Sequence, residues 1–312
     1  MHLHCQMSRY LQRIQVNLHW LHAWLRRGVF GRHRPATMEN LDILYKSSNF
    51  IVVNKHYDVK INSDDSSDKI TVATQLAHRF PELVDASVAH QFRFVHRIDY
   101  STSGALCVAL NKKASADAVN KFKKRQVTKC YYALLRGHVR EDFLRIDKPV
   151  YANPQEGYTH MMCTVDDSSP DHLSDDVRVL SAVTDLYVVQ RGLYDGQPAS
   201  KVLLKPQTGR RHQLRVHCLG LGHPIVGDYT YSYRRDVKPY RMMLHSHRLT
   251  IPAKGETVDV VAPDPFVTEV DPLWQPLDES GISQDADESP IHETVRVGAN
   301  TGCHFEEQKQ SR

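Results

Sequence analysis

The sequence predicts a domain of the α+β class, on three observations. Apolar runs of strand length recur between turn-forming residues, as in Ile43-Leu44-Tyr45 and Phe50-Ile51-Val52-Val53 around Ser47, Ser48 and Asn49. Only a few segments carry helical spacing: Thr71–Phe80, Ala114–Arg125 and the run after Gly209. The stretch Arg93–Leu110 sets Arg97 and Asp99 between apolar flanks. Burying that acid unpaired would cost on the order of several kcal/mol. A turn must therefore lift both charges to a sheet edge, with Gly104 supplying the backbone freedom the turn needs.

In chain order, residues 1–38 hold six Arg and no acid, and include the apolar-aromatic run Leu18–Leu25. They read as a flexible Arg-rich extension, either a mitochondrial presequence or a stretch upstream of a working start at Met38. His and Gln break the apolar core that a secretory signal would need. The body is expected over 39–270. Residues 62–69, NSDDSSDK, are a polar loop. Val72, Leu76 and Phe80 share one face of the first helix, which Pro81 ends. Ala114, Ala118 and Phe122 share a face of the second, whose end carries Lys121, Lys123, Lys124 and Arg125. Such a cluster is a solvated face or, against a nucleic acid, a phosphate-contact patch.

Val127–Gly137 reads as a strand. Residues 150–178, rich in Pro, Asp and Ser, read as an insertion or mobile loop. Asp185–Arg191 and Ala199–Leu204 alternate as strands, with Gly192, Gly196 and Pro198 marking the turn between them. A helix beginning after Gly209 would put Arg211 and Arg215 one turn apart on one face, where they repel unless an acid or phosphate faces them. The core ends near Pro272 to Pro276. Residues 271–312 read as a disordered acidic tail, with eight acids and three bases from 277 onward.

Composition narrows the class. With 312 residues, 41% hydrophobic and 24% charged, the chain can bury a sizeable core. No apolar run approaches the ~18–20 residues of a membrane span. Six scattered cysteines without a Cys-x-x-Cys pair suit buried thiols in a reducing compartment. A net charge of +4 is compatible with a polyanion partner.

Five blocks in order carry a family resemblance. His96-Arg97-Ile98-Asp99 with Thr102-Ser103-Gly104 resembles the H-R-L-D-x-x-T-S-G signature of the RluA-type pseudouridine synthases. Lys129, Tyr131, Ala133 and Gly137 match the family's K-x-Y-x-A-x-x-x-G. Thr208 to His217, followed by Leu221 to Asp228, matches T-G-R-x-H-Q-I-R-V-H and L-G-H-P-I-x-G-D, with Leu214 for Ile. Arg241 to His245 matches R-x-x-L-H-A, with Ser246 for Ala. Asn54-Lys55 stands where the family reads Asn-Lys-Pro-x-Gly, but His56 and Asp58 replace the Pro and Gly, so the local turn must differ. The resemblance spans residues 39–266.

That resemblance implies the pseudouridine synthase catalytic fold, a mixed, largely antiparallel sheet flanked by helices; the accessory S4 module is not visible before residue 39. It implies isomerisation of uridine in RNA, tRNA or rRNA, without cofactor or metal: the C1′–N1 bond breaks, the base turns, and C5 is rejoined to the sugar. Asp99 would be the catalytic carboxylate, either adding to the sugar or moving the 2′ proton. Arg215 would face Asp99 and keep it ionised. Tyr131 would lie against the extruded uracil and handle the C5 proton. Arg97 would fill the gap left in the RNA. His96, Thr102, Arg210, His212, Gln213, Lys123 and Lys124 complete the expected substrate-binding set. The protein would be a monomer off the membrane and inside the cell, cytoplasmic unless residues 1–38 address it to mitochondria. The alternative is a catalytically silent RNA-binding protein that kept the fold, suggested by the altered Lys55-His56 region.

Other chemistries fit less well. A glycosidase pair would have to be Asp99 and Asp228, yet Asp228 follows a glycine in a string better read as structural. Ser103 lacks the Gly-x-Ser-x-Gly frame, and Ile98 separates Arg97 from Asp99 where a kinase needs His-Arg-Asp. His212 and His217 stand five apart, off one helical face, with no partner at ligand spacing.

Overall fold

A computed structural model describes residues 35–165 and 177–277. The expected N-terminal extension up to residue 34, and the tail from 278, lie outside the described residues.

The first layer is a meander of apolar strands. β1 (Asp42–Lys46) pairs with β2 (Phe50–Lys55), which pairs with β4 (Ser103–Ala109); all are antiparallel. The two-residue β3 (Arg93–Phe94) also lies along β4. Alternation along β2 and β4 sorts side chains onto two faces. Phe50, Val52, Ala105 and Cys107 enter one core with Ala114 and Ala118 of helix α2 (Lys112–Lys123). Ile51, Val53, Leu106 and Val108 enter another with Val72 and Leu76 of helix α1 (Val72–Arg79). α1 starts at a reciprocal cap: Thr71 Oγ1 accepts from Thr74 N, and Thr74 Oγ1 accepts from Thr71 N. α2 is capped by Asn111, whose side chain accepts from Ala114 N.

The second half is built from longer strands. β5 (Thr128–Arg136), β9 (Val183–Tyr194) and β10 (Gln197–Pro206) pair antiparallel in the order β5-β10-β9, with β6 (Phe143–Asp147) and β13 (Trp274–Pro276) on β9. β11 (Leu244–Ala253) joins the halves. It runs antiparallel to β5 and parallel to β4, and β12 (Glu256–Val261) folds back along it. The result, among the described residues, is an eleven-stranded sheet that is antiparallel except at β4–β11. This is the mixed, largely antiparallel sheet with helices packed on it that the resemblance implied. Helix α3 (Gln213–Gly220) packs beside a small second sheet of β7 (Val150–Ala152) and β8 (Met162–Thr164). No helix of the described residues is long and apolar enough to cross a membrane.

Three local expectations are corrected. Residues 150–165 are not all loop: Val150, Met161 and Met162 are buried with Val216 and Tyr231, which explains why a polar-looking segment folds into β7 and β8. Gly192 lies inside β9 rather than in the turn, because the backbone of β13 crosses it. A Cβ there would sit 2.3 Å from the Gln275 carbonyl oxygen. The turn is Asp195-Gly196, both at positive φ, the geometry of a two-residue hairpin. The body also runs past residue 271, since Asp271 and Trp274 are buried and β13 belongs to the large sheet.

Candidate active site

The site lies where the two halves meet. Before β4 the chain turns, with Thr102 N donating to Asp99 O at 3.1 Å. Val95 and Ile98 point into the core while Arg97 is exposed and Asp99 only partly so, its side chain 24% accessible. Gly104, at φ +107°, then lets β4 approach β11: a Cβ there would lie 2.2 Å from Ser246 O. The turn holding Asp99 is thus pressed against β11. Behind it, the buried Lys55 Nζ donates to the carbonyls of His56, Val59 and Tyr100. Lys55 thus anchors the turn, and Asp58, where the family pattern reads Gly, takes a positive φ of 53°.

Arg215 reaches the turn from α3. Its Nη1 donates to Asp99 Oδ2 at 3.2 Å. Its shorter bonds go to Asp228, from Nε to Oδ2 at 2.6 Å and from Nη2 to Oδ1 at 2.8 Å. Asp228 is wholly buried and also accepts from the backbone N–H groups of Thr230 and Tyr231. Burial works against the guanidinium's charge, but the Asp228 hydrogen bonds and the two carboxylates outweigh it and raise its pKa. The guanidinium is therefore a fixed cation clamped from one side and offered to Asp99 on the other. The Tyr231 ring lies beneath it, 4.9 Å from the guanidinium carbon.

Tyr131 comes from β5 and packs against the cores of both halves. It stands opposite Ser246 in the β5–β11 ladder, and Ser246 Oγ donates to Ala105 O. Burial pushes the phenol up to about 12, so it stays neutral at ordinary pH. Asp99, Tyr131, Arg215, Lys129, Phe122 and Leu244 share the walls of one cleft of about 390 Å³. That volume lies within the ~300–1,000 Å³ of small-ligand sites. Lys129 Nζ donates to Thr208 O, and burial, then Arg125, lowers its pKa.

The remaining expected residues divide. Arg97, Thr102, Arg210 and His212 also line the cleft. His96 does too, but its Nε2 accepts from Cys107 N at 2.9 Å and its ring stacks on Phe122 at 4.8 Å, so it supports the wall. Burial, then the charge of Lys129, takes its pKa down to about 3. Gln213 lines the cleft too, but its amide is engaged within the protein. Its amide accepts from Thr208 Oγ1 and Arg210 N and donates to Val183 O and Thr184 Oγ1, which uses its hydrogen-bonding groups within the protein. Lys123 and Lys124 are exposed at the end of α2, outside the cleft walls. Arg211 does not stack with Arg215 on a helix. α3 starts only at Gln213, His212 takes a left-handed conformation, and Arg211 turns outward to His160 O. Asp228 and Tyr231 were missed as parts of the site. Asp228 stands in the quoted G-D string, but nothing in that string says it reaches back to Arg215. Among the described residues no group of three or more His, Cys, Asp or Glu is placed to hold a metal.

Comparison with known proteins places the chain in a family. The family model for RNA pseudouridylate synthase matches residues 49–219. The chain belongs to the RNA pseudouridylate synthase family. It is 53% identical over 243 residues to RNA pseudouridylate synthase domain-containing protein 1 of Danio rerio, covering 78% of this chain and 81% of that protein. It is 33% identical to the dual-specificity RNA pseudouridine synthase RluA of Escherichia coli, covering 75% and 98%. The solved structure of human RNA pseudouridylate synthase domain containing 1 superposes with a TM-score of 0.70 at 45% identity, covering 83% of this chain and all of that one. This synthase is an isomerase that acts on RNA.

Proposed function

We propose that Asp99 is the carboxylate that drives uridine isomerisation in structured RNA, tRNA or rRNA, and that the target base enters the cleft between Tyr131 and α3. The observation that carries this reading is the convergence of Asp99 and Arg215, 116 positions apart in sequence, at 3.2 Å in a cleft that Tyr131 also lines. A base inside a duplex is out of reach, so it must leave its stack at a cost of roughly a few kcal/mol. Stacking on Tyr131, worth about 1–3 kcal/mol by analogy with other base–aromatic contacts, offsets part of that. With its phenol near 12, Tyr131 would be ionised in only about one molecule in 10⁵ at pH 7, so its neutral ring is the useful part. Asp99 then either attacks the sugar or takes the 2′ proton. In both routes the C1′–N1 bond breaks, C5 bonds C1′, C5 loses its proton and N1 gains one; any proton taken from C2′ is returned there, and nothing is oxidised or reduced. Arg97, exposed and lining the cleft, would occupy the gap left by the base. The exposed Lys123 and Lys124 extend a basic rim along α2.

The test is Asp99→Asn in the full chain, assayed on unmodified tRNA and rRNA transcripts. The expected result is loss of pseudouridine by at least about 10³-fold, with RNA affinity kept within about threefold. Turnover surviving in Asp99→Asn would remove Asp99 from this role; wild-type binding without any product would favour the silent RNA-binding alternative. We further propose a monomer in the cytoplasm, or in mitochondria if residues 1–38 act as a presequence. Imaging fusions begun at Met1 and at Met38 separates those compartments.

A further inference from the structure

We infer that His212 is a positioning residue: Tyr231 holds it as the Nε2–H tautomer and so aims a neutral donor at Asp99 Oδ2, leaving Oδ1 as the oxygen that reacts. The inference rests on Asp99 being the reacting carboxylate and deepens that reading.

The proton positions follow from the hydrogen bonds. Tyr231 Oη accepts from Met162 N at 2.8 Å, so its own hydrogen is free to go elsewhere. Among the described residues the remaining partner is His212 Nδ1, at 3.1 Å. A ring nitrogen that accepts carries no proton, so a neutral His212 has its hydrogen on Nε2. Burial, then the charge of Arg215, takes the imidazole down to about 4, which keeps it neutral at working pH. Nε2 lies 4.0 Å from Asp99 Oδ2. That is longer than a hydrogen bond, and such contacts close when the substrate enters.

Two further facts make this an arrangement rather than an accident of packing. Arg215 Nη1 falls on the same oxygen, Oδ2, at 3.2 Å. Both donors thus hold one edge of the carboxylate and leave the other to the sugar. Moreover, the buried Tyr231 ring supports both. It meets His212 edge-on at 5.7 Å and lies under the Arg215 guanidinium. His212 also sits at φ 52°, a left-handed conformation that a residue with a Cβ adopts at a cost and that Asn or Gly would adopt more easily. An imidazole kept at such a position points to use of its ring.

The test exploits the two ends of the ring. In His212→Gln the amide reaches the Nε2 position and can donate to Asp99. In His212→Asn the amide reaches only the Nδ1 position, can still meet Tyr231, and suits the left-handed backbone. Release of tritium from C5 of transcripts labelled with [5-³H]uridine reports turnover, and Asp99→Asn serves as reference. The expected result is His212→Gln within about fivefold of wild type. His212→Asn should be at least about 30-fold lower in kcat, with KM within about twofold. A merely structural role, holding Tyr231, gives the reverse order. Reverse order, equal loss or no loss overturns the inference. Dead Asp99→Asn beside unimpaired His212→Asn removes only the role of His212; active Asp99→Asn removes the catalytic reading and this inference with it. Independently, long-range ¹H–¹⁵N correlation at pH 7 should show His212 protonated at Nε2 and bare at Nδ1; a protonated Nδ1 also overturns it.

Discussion

Arg215 answers to two acids, and the unequal division decides what each is for. Asp228, wholly buried and bonded twice, fixes the guanidinium; Asp99, bonded once and partly exposed, is what the guanidinium serves. Removing one partner from a buried pair leaves an uncompensated charge, at a cost of about 3–5 kcal/mol. Asp228→Asn keeps shape and some hydrogen bonding, so its urea-unfolding free energy should fall by about 2–4 kcal/mol, and kcat should drop more than RNA affinity. Unchanged stability would mean that Arg215 is held by something else. At this scale the motifs marked three side chains, Asp99, Tyr131 and Arg215, that the fold brings to one cleft. The sequence says less where one chemistry serves two ends. Gln213 has the hydrogen-bonding capacity of a substrate contact, yet it spends it on Thr208, Arg210, Val183 and Thr184. Asp228 and Tyr231 became visible as site residues only when folding brought them under Arg215.

At the scale of elements, the site depends on how closely β4 and β11 approach. They touch over two register pairs, Ser103 with His245 and Gly104 with Ser246, and this parallel contact carries the Asp99 turn to the start of β11. Arg241 Nη2 and His245 Nδ1 both meet Ser103 Oγ there, at 2.6 and 2.7 Å. Gly104→Ala combines a positive φ with a Cβ 2.2 Å from a backbone oxygen, so the strands must part. The expected loss exceeds about 3 kcal/mol, or a fall of roughly 10 °C in Tm. Gly157→Ala, also at positive φ but with nothing within 4 Å, should cost only about 1 kcal/mol. Equal shifts for the two variants would mean that the β4–β11 approach adds nothing. Elements with a clear pattern could be read directly: β2 and β4 as continuous apolar runs, because both faces are buried, and α1 and α2 by their apolar stripe. β7, β8 and β13 could not. They are three residues long, too short for a period, and are held by partners distant in the chain.

For the whole molecule, folding buries several histidine rings, and that has a consequence for acid stability. His96, His212 and His217 are held near 3, 4 and 4 against an ordinary value of 6.5, in each case first by burial. His217 also has both ring nitrogens engaged, with Thr184 Oγ1 and Lys148 O. In the unfolded chain these histidines take up protons as pH falls through about 6.5; in the native state they do not until about 4. The unfolded state therefore binds more protons over that window, so the stability present above pH 6.5 is lost as pH drops toward 4. Each group contributes up to about 1.4 kcal/mol per pH unit. Discounting His96 and His212 for their partial exposure leaves a combined slope of about 2–3 kcal/mol per unit. Carboxylates held low by hydrogen bonds, such as Asp85 at about 2, add their own losses only below about pH 4. The urea midpoint should then fall steeply between pH 6.5 and 4.5 and stay level from pH 7 to 8. A midpoint that holds level down to pH 5 would show that these rings titrate alike in the folded and unfolded chain, and that burial does not hold them neutral.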